Sequence, residues 1–589
     1  MNFLRNVLST IIGVFLAMMI IFLFFLFFIA IASSGGKTKV PVKKHSVIEL
    51  RFDEPIQDFG GTYSFKEFDY SYVNYNGLNH IVNAIKTAKS DDKIDGISIH
   101  TGMIIAGMGQ LKAIRDALKD FKESGKFVYA YADFYPQKDY YLASVADSVY
   151  LNPVGNINFR GLAAELLFYK DFQEKSGLKM EVVRHGKFKS AVEPYLENEM
   201  SDANRLQISD LLHSIWDQML KDIGESRKLS VAQLNSVADE LGGNNIEKAL
   251  ENKLIDGVIY DDQYRERIAA AAGVDSIDDF KYIKMERYAE YAHKKKKVTS
   301  EKPKIAVVFA QGEIIYGEGT DTSIGQGIMM KALKEAREDE SIKAVVLRVD
   351  SPGGSALASE IIWREVEITR AVKPVVVSMG DLAASGGYYI AMGGQKIFAE
   401  PTTITGSIGV FGLLPNMQEL AGRIGINAEQ VGTNKQASGY SVFEPLSEEV
   451  YHEIEEGIEE IYATFLKRVA DNRGLTVAQV DSIAQGRVWS GIEAKEIGLV
   501  DELGGLDEAI AAAAEIAEIE VYSMVSFPEY KTDLEEIFEQ FSLLPGVKSR
   551  KAMIKEEIGA EAYELLQRIK ELSQQKGIQA RMPFEFKIR

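Results

Sequence analysis

Met379-Gly380-Asp381-Leu382-Ala383-Ala384-Ser385-Gly386-Gly387-Tyr388-Tyr389-Ile390-Ala391 places a serine where one periodicity gives way to another. The apolar run at 375–377 reads as a buried parallel strand, and 388–392 can wind into a helix. Ser385 therefore falls at a strand-to-helix turn, where the first amides of a helix are unpaired and point outward. Gly386 and Gly387 let another backbone approach closely. A serine in this setting is either an ordinary helix cap or a nucleophile with an oxyanion site beside it. These residues alone leave both readings open.

Outward from this stretch, strands and helices alternate. Residues 46–52, 96–99 and 127–131 read as strands; 78–88, 108–122 and 138–146 read as helices. Such alternation predicts an α/β fold with a parallel sheet and crossover helices. The pattern occurs twice. Ser226-Arg227-Lys228-Leu229-Ser230-Val231-Ala232-Gln233-Leu234 matches Asn472-Arg473-Gly474-Leu475-Thr476-Val477-Ala478-Gln479-Val480. Leu254-Ile255-Asp256 matches Leu499-Val500-Asp501, and Tyr140-Tyr141-Leu142-Ala143 matches Tyr388-Tyr389-Ile390-Ala391. The chain is a tandem duplication. The expected division is a short segment 1–6, an apolar anchor 7–32, a first repeat 45–292, a linker 293–303, a second repeat 304–530 and an extension 531–589. The lysine run in 293–303 reads as a solvated linker or, alternatively, a membrane-surface patch. In the extension, 532–541 and 554–575 look helical, and 581–589 alternates like an edge strand. That end could pack on its own domain, pair with a neighbouring subunit or lie near a substrate groove.

The two repeats are unequally equipped. The second has Val349-Asp350-Ser351-Pro352-Gly353-Gly354 where the first has His100-Thr101-Gly102-Met103. The counterpart of Ser385 falls at Gln137 or Lys138. The first repeat thus lacks both nucleophile and oxyanion turn. A serine hydroxyl also needs a base. Of the 7 histidines, none accompanies the second-repeat motifs: His452 lies in an acidic helix, and His185 stands near another candidate feature. Serine–lysine arrangements exist, but the lysine must be neutral and so needs a dry pocket. Lys189, in Arg184-His185-Gly186-Lys187-Phe188-Lys189-Ser190-Ala191-Val192-Glu193-Pro194-Tyr195, and Lys435, in Gly432-Thr433-Asn434-Lys435-Gln436-Ala437, occupy matching places in the two repeats. Spacing does not separate them.

With 589 residues the chain exceeds one core. A net charge of −19 argues against nucleic acid as a partner. The absence of cysteine excludes disulfides, thiolate nucleophiles and cysteine metal sites. Residues 7–32 are apolar and uncharged, long enough to cross a hydrocarbon core of ~30 Å as a helix, and too long and Phe-rich for a cleaved signal peptide. Arg5 precedes the span, whereas Lys37, Lys39, Lys43 and Lys44 follow it. The positive-inside tendency taken alone would keep the globular part in the cytoplasm.

Lys189-Ser190-Ala191-Val192-Glu193-Pro194, Asp350-Ser351-Pro352-Gly353-Gly354, Gly380 through Tyr388 and Thr405-Gly406-Ser407-Ile408-Gly409-Val410-Phe411-Gly412 resemble, in that order, the long, duplicated form of bacterial signal peptide peptidase A (protease IV). The resemblance implies two Clp protease/crotonase-like domains behind one N-terminal transmembrane helix. It implies Ser385 as nucleophile, Lys189 as general base, Ser407 as the residue that orients the lysine, and Gly354 with the Ser385 amide as oxyanion donors. The short form of the family carries its base downstream of the nucleophile in the same repeat, which makes Lys435 the alternative base. The family implies no metal, nucleotide or other cofactor. It also implies a homotetramer, single-pass in the bacterial inner membrane with its catalytic part facing the periplasm, degrading cleaved signal peptides and other hydrophobic peptides at the lipid bilayer. This placement opposes the charge bias. Two other classes use parts of the pattern: a crotonase-like acyl-thioester enzyme and a non-catalytic membrane scaffold.

Overall fold

The computed structural model describes residues 5, 10, 12–23, 42–65, 71–100, 102–295, 302–532 and 579–582. The first repeat forms a 6-stranded parallel sheet. Its order is Gly257–Val258, Ser148–Leu151, Phe127–Ala132, Ile94–His100, Ser46–Leu50 and Lys281–Lys284. The second repeat lays out the same plan. Ser523–Phe527, Lys304–Gln311, Ile342–Ser351, Val375–Ala384, Lys396–Ala399 and Glu502–Leu503 pair in parallel as their counterparts do. The central strands are apolar on both faces, as at Val345, Val346 and Leu347, because helices cover both sides of the sheet.

The duplication extends to helix ends. Ser230 Oγ accepts the Gln233 N–H, and Thr476 Oγ1 accepts the Gln479 N–H, each in a capping box at the start of a repeated helix. The long helices before them, Asp202–Arg227 and Glu448–Arg473, are each 26 residues, capped by Ser201 and Ser447. They end on left-handed residues, Lys228 at φ 56° and Gly474 at φ 65°.

The repeats interlock. Lys179–His185 leaves the first repeat and pairs antiparallel with Val410–Asn416 of the second, from His185 opposite Val410 to Lys179 opposite Asn416. Both belong to a 7-stranded sheet that also contains Gly353–Ser355 and Gln579–Arg581. Deeper in, Arg348 Nε meets Asp58 at 2.6 Å, with both side chains 2% exposed. Arg348 Nη1 also donates to Ser378 Oγ and the Met379 carbonyl, and Gln110 donates to the other Asp58 oxygen. Asp381 Oδ1 accepts the N–H groups of Gly109 and Gln110, in the first turn of the helix Met108–Lys122. This contact requires a glycine at 107, where a Cβ would stand 1.9 Å from the Asp381 carboxyl carbon. Phe59 of the first repeat stacks on Phe309 of the second at 4.5 Å.

His293, Lys294 and Lys295, expected to open the linker, close the helix Met285–Lys295, and 296–301 lie outside the described residues. Residues 12–23 of the expected anchor are helical, whereas most of the remainder of 7–32 lies outside the described residues. Among the described residues no helix is long and apolar enough to cross a membrane. The expected helix 554–575 also lies outside them, as does 532–541 apart from Thr532, which ends a strand.

Removing one partner of a buried ion pair costs about 3–5 kcal/mol, against about 0–1 kcal/mol for an exposed one. Asp58→Ala is therefore expected to lower the urea midpoint clearly, whereas Lys86→Ala, which breaks an exposed inter-repeat pair with Asp507, leaves it nearly unchanged. Equal shifts would refute the role given to Asp58.

Candidate active site

Ser385 follows the strand Val375–Ala384 and precedes the short helix Gly386–Ala391. Its backbone sits at φ 56°, ψ −114°, a conformation that costs a non-glycine residue on the order of 1–3 kcal/mol. The surrounding bonds fix it there. The Ser385 N–H donates to the Gly406 carbonyl at 2.8 Å, and the Ser385 carbonyl accepts from Tyr389. The expectation that the Ser385 amide serves the oxyanion is therefore corrected: that donor is already used. The next amide, of Gly386, opens the helix and has no partner within it. It lies 2.7 Å from where a Cβ on Gly353 would sit, beside the Pro352-Gly353-Gly354 turn. Gly354 has φ 150°, and a Cβ there would meet the Ile314 carbonyl at 2.0 Å, so only glycine fits.

Lys189 enters from the first repeat. The strand Lys179–His185 delivers the chain to the second repeat, and Gly186 turns it at φ 108° against the Gln485 backbone. The Phe188 N–H donates to the Gln485 carbonyl at 2.8 Å. Gln207 donates to the Phe188 carbonyl and Ser190 Oγ, and buried Glu193 accepts from the Ser201 N–H. The lysine stem passes Gly486 and Gly409, whose added Cβ atoms would approach it to 2.6 and 3.2 Å. Lys189 Nζ then lies 2.9 Å from Ser385 Oγ, 3.0 Å from Ser407 Oγ and 3.1 Å from the Ser407 carbonyl. Lys189, Ser385 and Ser407 are all 0% exposed.

Among the described residues no carboxylate pairs with Lys189. Burial alone drives its pKa well below the ordinary lysine value, because an ammonium without water or counter-charge is costly. The neutral amine has one lone pair, which can accept the Ser385 hydroxyl proton, while its N–H groups donate to Ser407. This is the geometry of a serine activated by a base and a base oriented by a third group.

The other candidates lie elsewhere. Lys435 is exposed in the loop 432–439 and makes none of these contacts. His185 pairs with Glu459 at 2.5 Å and stacks on Tyr462; His452 is exposed beside Glu455. In the first repeat, the isolated bridge between Tyr135 and Ile157 matches the pairing of Ala383 with Thr405. Gln137 therefore occupies the place of Ser385. Its carboxamide accepts the Arg160 and Gly161 N–H groups and donates to the Gly161 carbonyl, filling that position. The sequence alone singled out none of Gln485, Gly486 and Gln207, and it assigned no separate role to Gly409 and Glu193 within the motifs that contain them. A signal was present for Gln485-Gly486: directly after the duplicated stretch, Ala484-Gln485-Gly486-Arg487 departs from Ala238-Asp239-Glu240-Leu241.

A carboxylate cluster underlies the nucleophile strand. Burial, then the Asp58 charge, push Asp381 up to about 6, and the same causes raise Asp350. Burial raises Glu400 to about 7. Asp381 ties the strand to the first repeat, Asp350 accepts the Leu382 N–H within the second, and neither reaches Ser385 Oγ in the hydrogen bonds described.

The model of peptidase family S49 matches residues 120–275 and 367–520, and that of Clp protease matches 297–405. The chain is 37% identical to Protease 4 of Salmonella typhi over 498 residues, covering 82% of this chain and 78% of that protein. It is 35% identical to Protease 4 of Haemophilus influenzae over 519 residues, covering 85% and 84%. It is 32% identical to the chloroplastic serine protease SPPA of Arabidopsis thaliana over 509 residues, covering 85% and 73%.

A lysine whose folded pKa is depressed binds fewer protons folded than unfolded, so stability rises with pH from that folded pKa to about 10.4. Lys189→Met removes this drag. It is expected to raise the thermal midpoint at pH 7, with the difference from wild type closing toward pH 10. In wild type, kcat/KM for a peptide is expected to rise with pH along an acid limb well below the ordinary lysine pKa. A limb near 10 would contradict a desolvated base.

Proposed function

The chain belongs to peptidase family S49 and is a serine peptidase, and we propose that it is a membrane-anchored endopeptidase whose Ser385–Lys189 dyad degrades cleaved signal peptides and other hydrophobic peptides. The observation that carries the dyad is the 2.9 Å approach of a fully buried, charge-unpaired lysine to a strained serine.

The reaction is acyl transfer to water. Lys189 takes the Ser385 proton as Oγ attacks the peptide carbonyl. The amides of Gly354 and Gly386 receive the developing oxyanion, a contribution of about 3–4 kcal/mol per donor in comparable sites. Lys189 then hands the proton to the leaving amine. Water, deprotonated by the same lysine, releases the acyl group. Ser407 keeps Nζ aimed at Oγ throughout.

Membrane anchoring is supported by the apolar stretch 7–32 and by the exposure of Phe15, Ile21 and Phe22 on its described helical part. A periplasmic catalytic part follows the family rather than the lysines after the span, since large domains translocate despite charge bias. Self-association into a homotetramer is supported by the duplication. Within one chain, Lys179–His185 of the first repeat pairs with Val410–Asn416 of the second. Their counterparts, 425–431 and 162–168, belong to no strand among the described residues. Each would find its match in a neighbouring copy, extending one contact around a closed ring.

The test is a serine-directed acylating probe with a hydrophobic signal peptide in lipid vesicles as substrate. Wild type is expected to be labelled and to fragment the peptide; Ser385→Ala loses both. Labelling that persists in Ser385→Ala would place the nucleophile elsewhere, and an unlabelled wild type would favour an acyl-thioester enzyme or a scaffold.

A further inference from the structure

The helix Asp202–Arg227 of the first repeat lies along the strand Val488–Ser490 of the second. Three of its side chains reach that strand or the residue before it. Gln207 Oε1 accepts the Val488 N–H at 3.4 Å, Asp210 pairs with Arg487 at 2.8 Å, and Ser214 Oγ donates to Ser490 Oγ at 2.8 Å. Positions 207, 210 and 214 share one face because residues three and four apart are neighbours on a helix. The strand they reach is the one that carries Ser407. It runs antiparallel to Ile404–Gly406, and just past that pairing the Ser407 N–H donates to the Arg487 carbonyl at 2.7 Å. The Gly486 N–H donates to the Ile408 carbonyl at 2.8 Å. The helix thus holds, from the opposite edge, the backbone that supports the serine orienting the base.

Of these three side chains, Gln207 also bonds to the loop that carries Lys189. Its Nε2 lies 3.1 Å from the Phe188 carbonyl and 3.2 Å from Ser190 Oγ, on either side of the base. A further acceptor, Asn204 Oδ1, stands at 3.1 Å, and Asn204 Nδ2 in turn donates to Glu193. A carbonyl only accepts and a backbone N–H only donates, so the carboxamide has one orientation: oxygen toward the second repeat, nitrogen toward the first. Gln207 is buried, where such bonds face little competition from water. The Arg487 guanidinium joins the same two elements, lying 5.3 Å from the Phe188 ring centroid and 4.1 Å from that of Trp489.

We propose that Gln207 is a positioning residue for the peptidase reaction: by bridging the Lys189 loop to the strand behind Ser407, it sets the approach of Nζ to Ser385 Oγ. The proposal rests on the Ser385–Lys189 reading and gives Gln207 no contact with substrate. The bridge is needed because the ladder between Lys179–His185 and Val410–Asn416 ends at His185, and Gly186 then turns the chain. Lys189 lies past that turn, where strand pairing no longer dictates its place. The Phe188 N–H to the Gln485 carbonyl fixes one side of the loop. Gln207 fixes the carbonyl of the peptide group that enters Lys189. Without it, loop and strand separate. A shift of about 1 Å can cost about 100-fold in rate, and water admitted to the lysine stem would let the amine regain its proton.

Hydrolysis of a fluorogenic hydrophobic peptide by full-length Gln207→Met, followed across pH, tests this, since methionine is of similar size but makes neither bond. Its kcat is expected to fall about tenfold or more with KM within about twofold of wild type. The acid limb of kcat/KM is expected to move up toward the ordinary lysine value. Leu211→Ala, at a buried apolar position of the same helix, is the stability control: it lowers the thermal midpoint and leaves the limb in place. Asp210→Ala breaks only the partly exposed tie to Arg487. It is expected to shift kcat and limb the same way to a smaller extent, and is judged by the same criteria should Gln207→Met not fold. Wild-type kcat and limb overturn the proposal. So does a fall in kcat that Leu211→Ala reproduces with the limb unmoved in both, which would make Gln207 a merely structural residue. A raised KM at unchanged kcat would place it in substrate binding and likewise overturn the proposal. A wild type inert toward the peptide overturns the Ser385–Lys189 reading itself.

Discussion

A lysine must lose its proton before it can take one from serine, and everything around Ser385 serves that requirement. An ammonium buried without a counter-charge is so unfavourable that the amine stays neutral. The site achieves this by exclusion of water and of carboxylates alike. Ser407 offers a hydroxyl and a carbonyl to the amine, which suffice to orient it but carry no charge to stabilise its protonated form. Gly409 and Gly486 take up so little space that the alkyl stem packs against backbone. The acidic groups near the nucleophile strand bond elsewhere, Asp381 to the amides of Gly109 and Gln110 and Asp350 to that of Leu382. A carboxylate beside Lys189 would restore its charge and remove the base.

Duplication made this division of labour possible. Each repeat has a strand-to-helix turn at the same place, but in the first a glutamine fills it and bonds to its own loop. That repeat kept the lysine and lost the serine; the second kept the serine and left its own lysine, Lys435, in an exposed loop. The site consequently depends on how firmly the repeats are joined. The pairing of Lys179–His185 with Val410–Asn416 sets the position of Lys189 along the chain, since a one-residue slip would turn every side chain to the opposite face. The Arg348–Asp58 pair and the Asp381 cap on the helix Met108–Lys122 fix the nucleophile strand to the same partner. Such buried ionic ties add little net stability but are costly to break singly, which suits them to holding one relative placement.

Much of this was legible in the sequence. The repeat, the parallel α/β plan and the serine turn all follow from local periodicity and self-similarity. The helix at 108–122 was read to its ends because its apolar residues, Leu111, Ile114, Leu118 and Phe121, recur at helical spacing. What escaped were matters settled by tertiary contacts. Lys189 and Lys435 occupy equivalent places, and only the exchange of a strand between repeats distinguishes them. The assignment of the Ser385 amide to the oxyanion failed because nothing local reveals that Gly406 accepts its proton. Of the edge strand expected at 581–589 all but Arg581 and Met582 lies outside the described residues; the strand seen, Gln579–Arg581, begins two residues earlier, and its pairing with Gly353–Ser355 depends on residues far away in the chain.

The central claim is that the base comes from the first repeat. Steady-state hydrolysis of a hydrophobic peptide by Lys189→Ala and by Lys435→Ala, each confirmed folded, tests it most directly. Loss of turnover in Lys189→Ala with near wild-type kcat in Lys435→Ala is predicted. Full activity in Lys189→Ala together with none in Lys435→Ala would contradict the account.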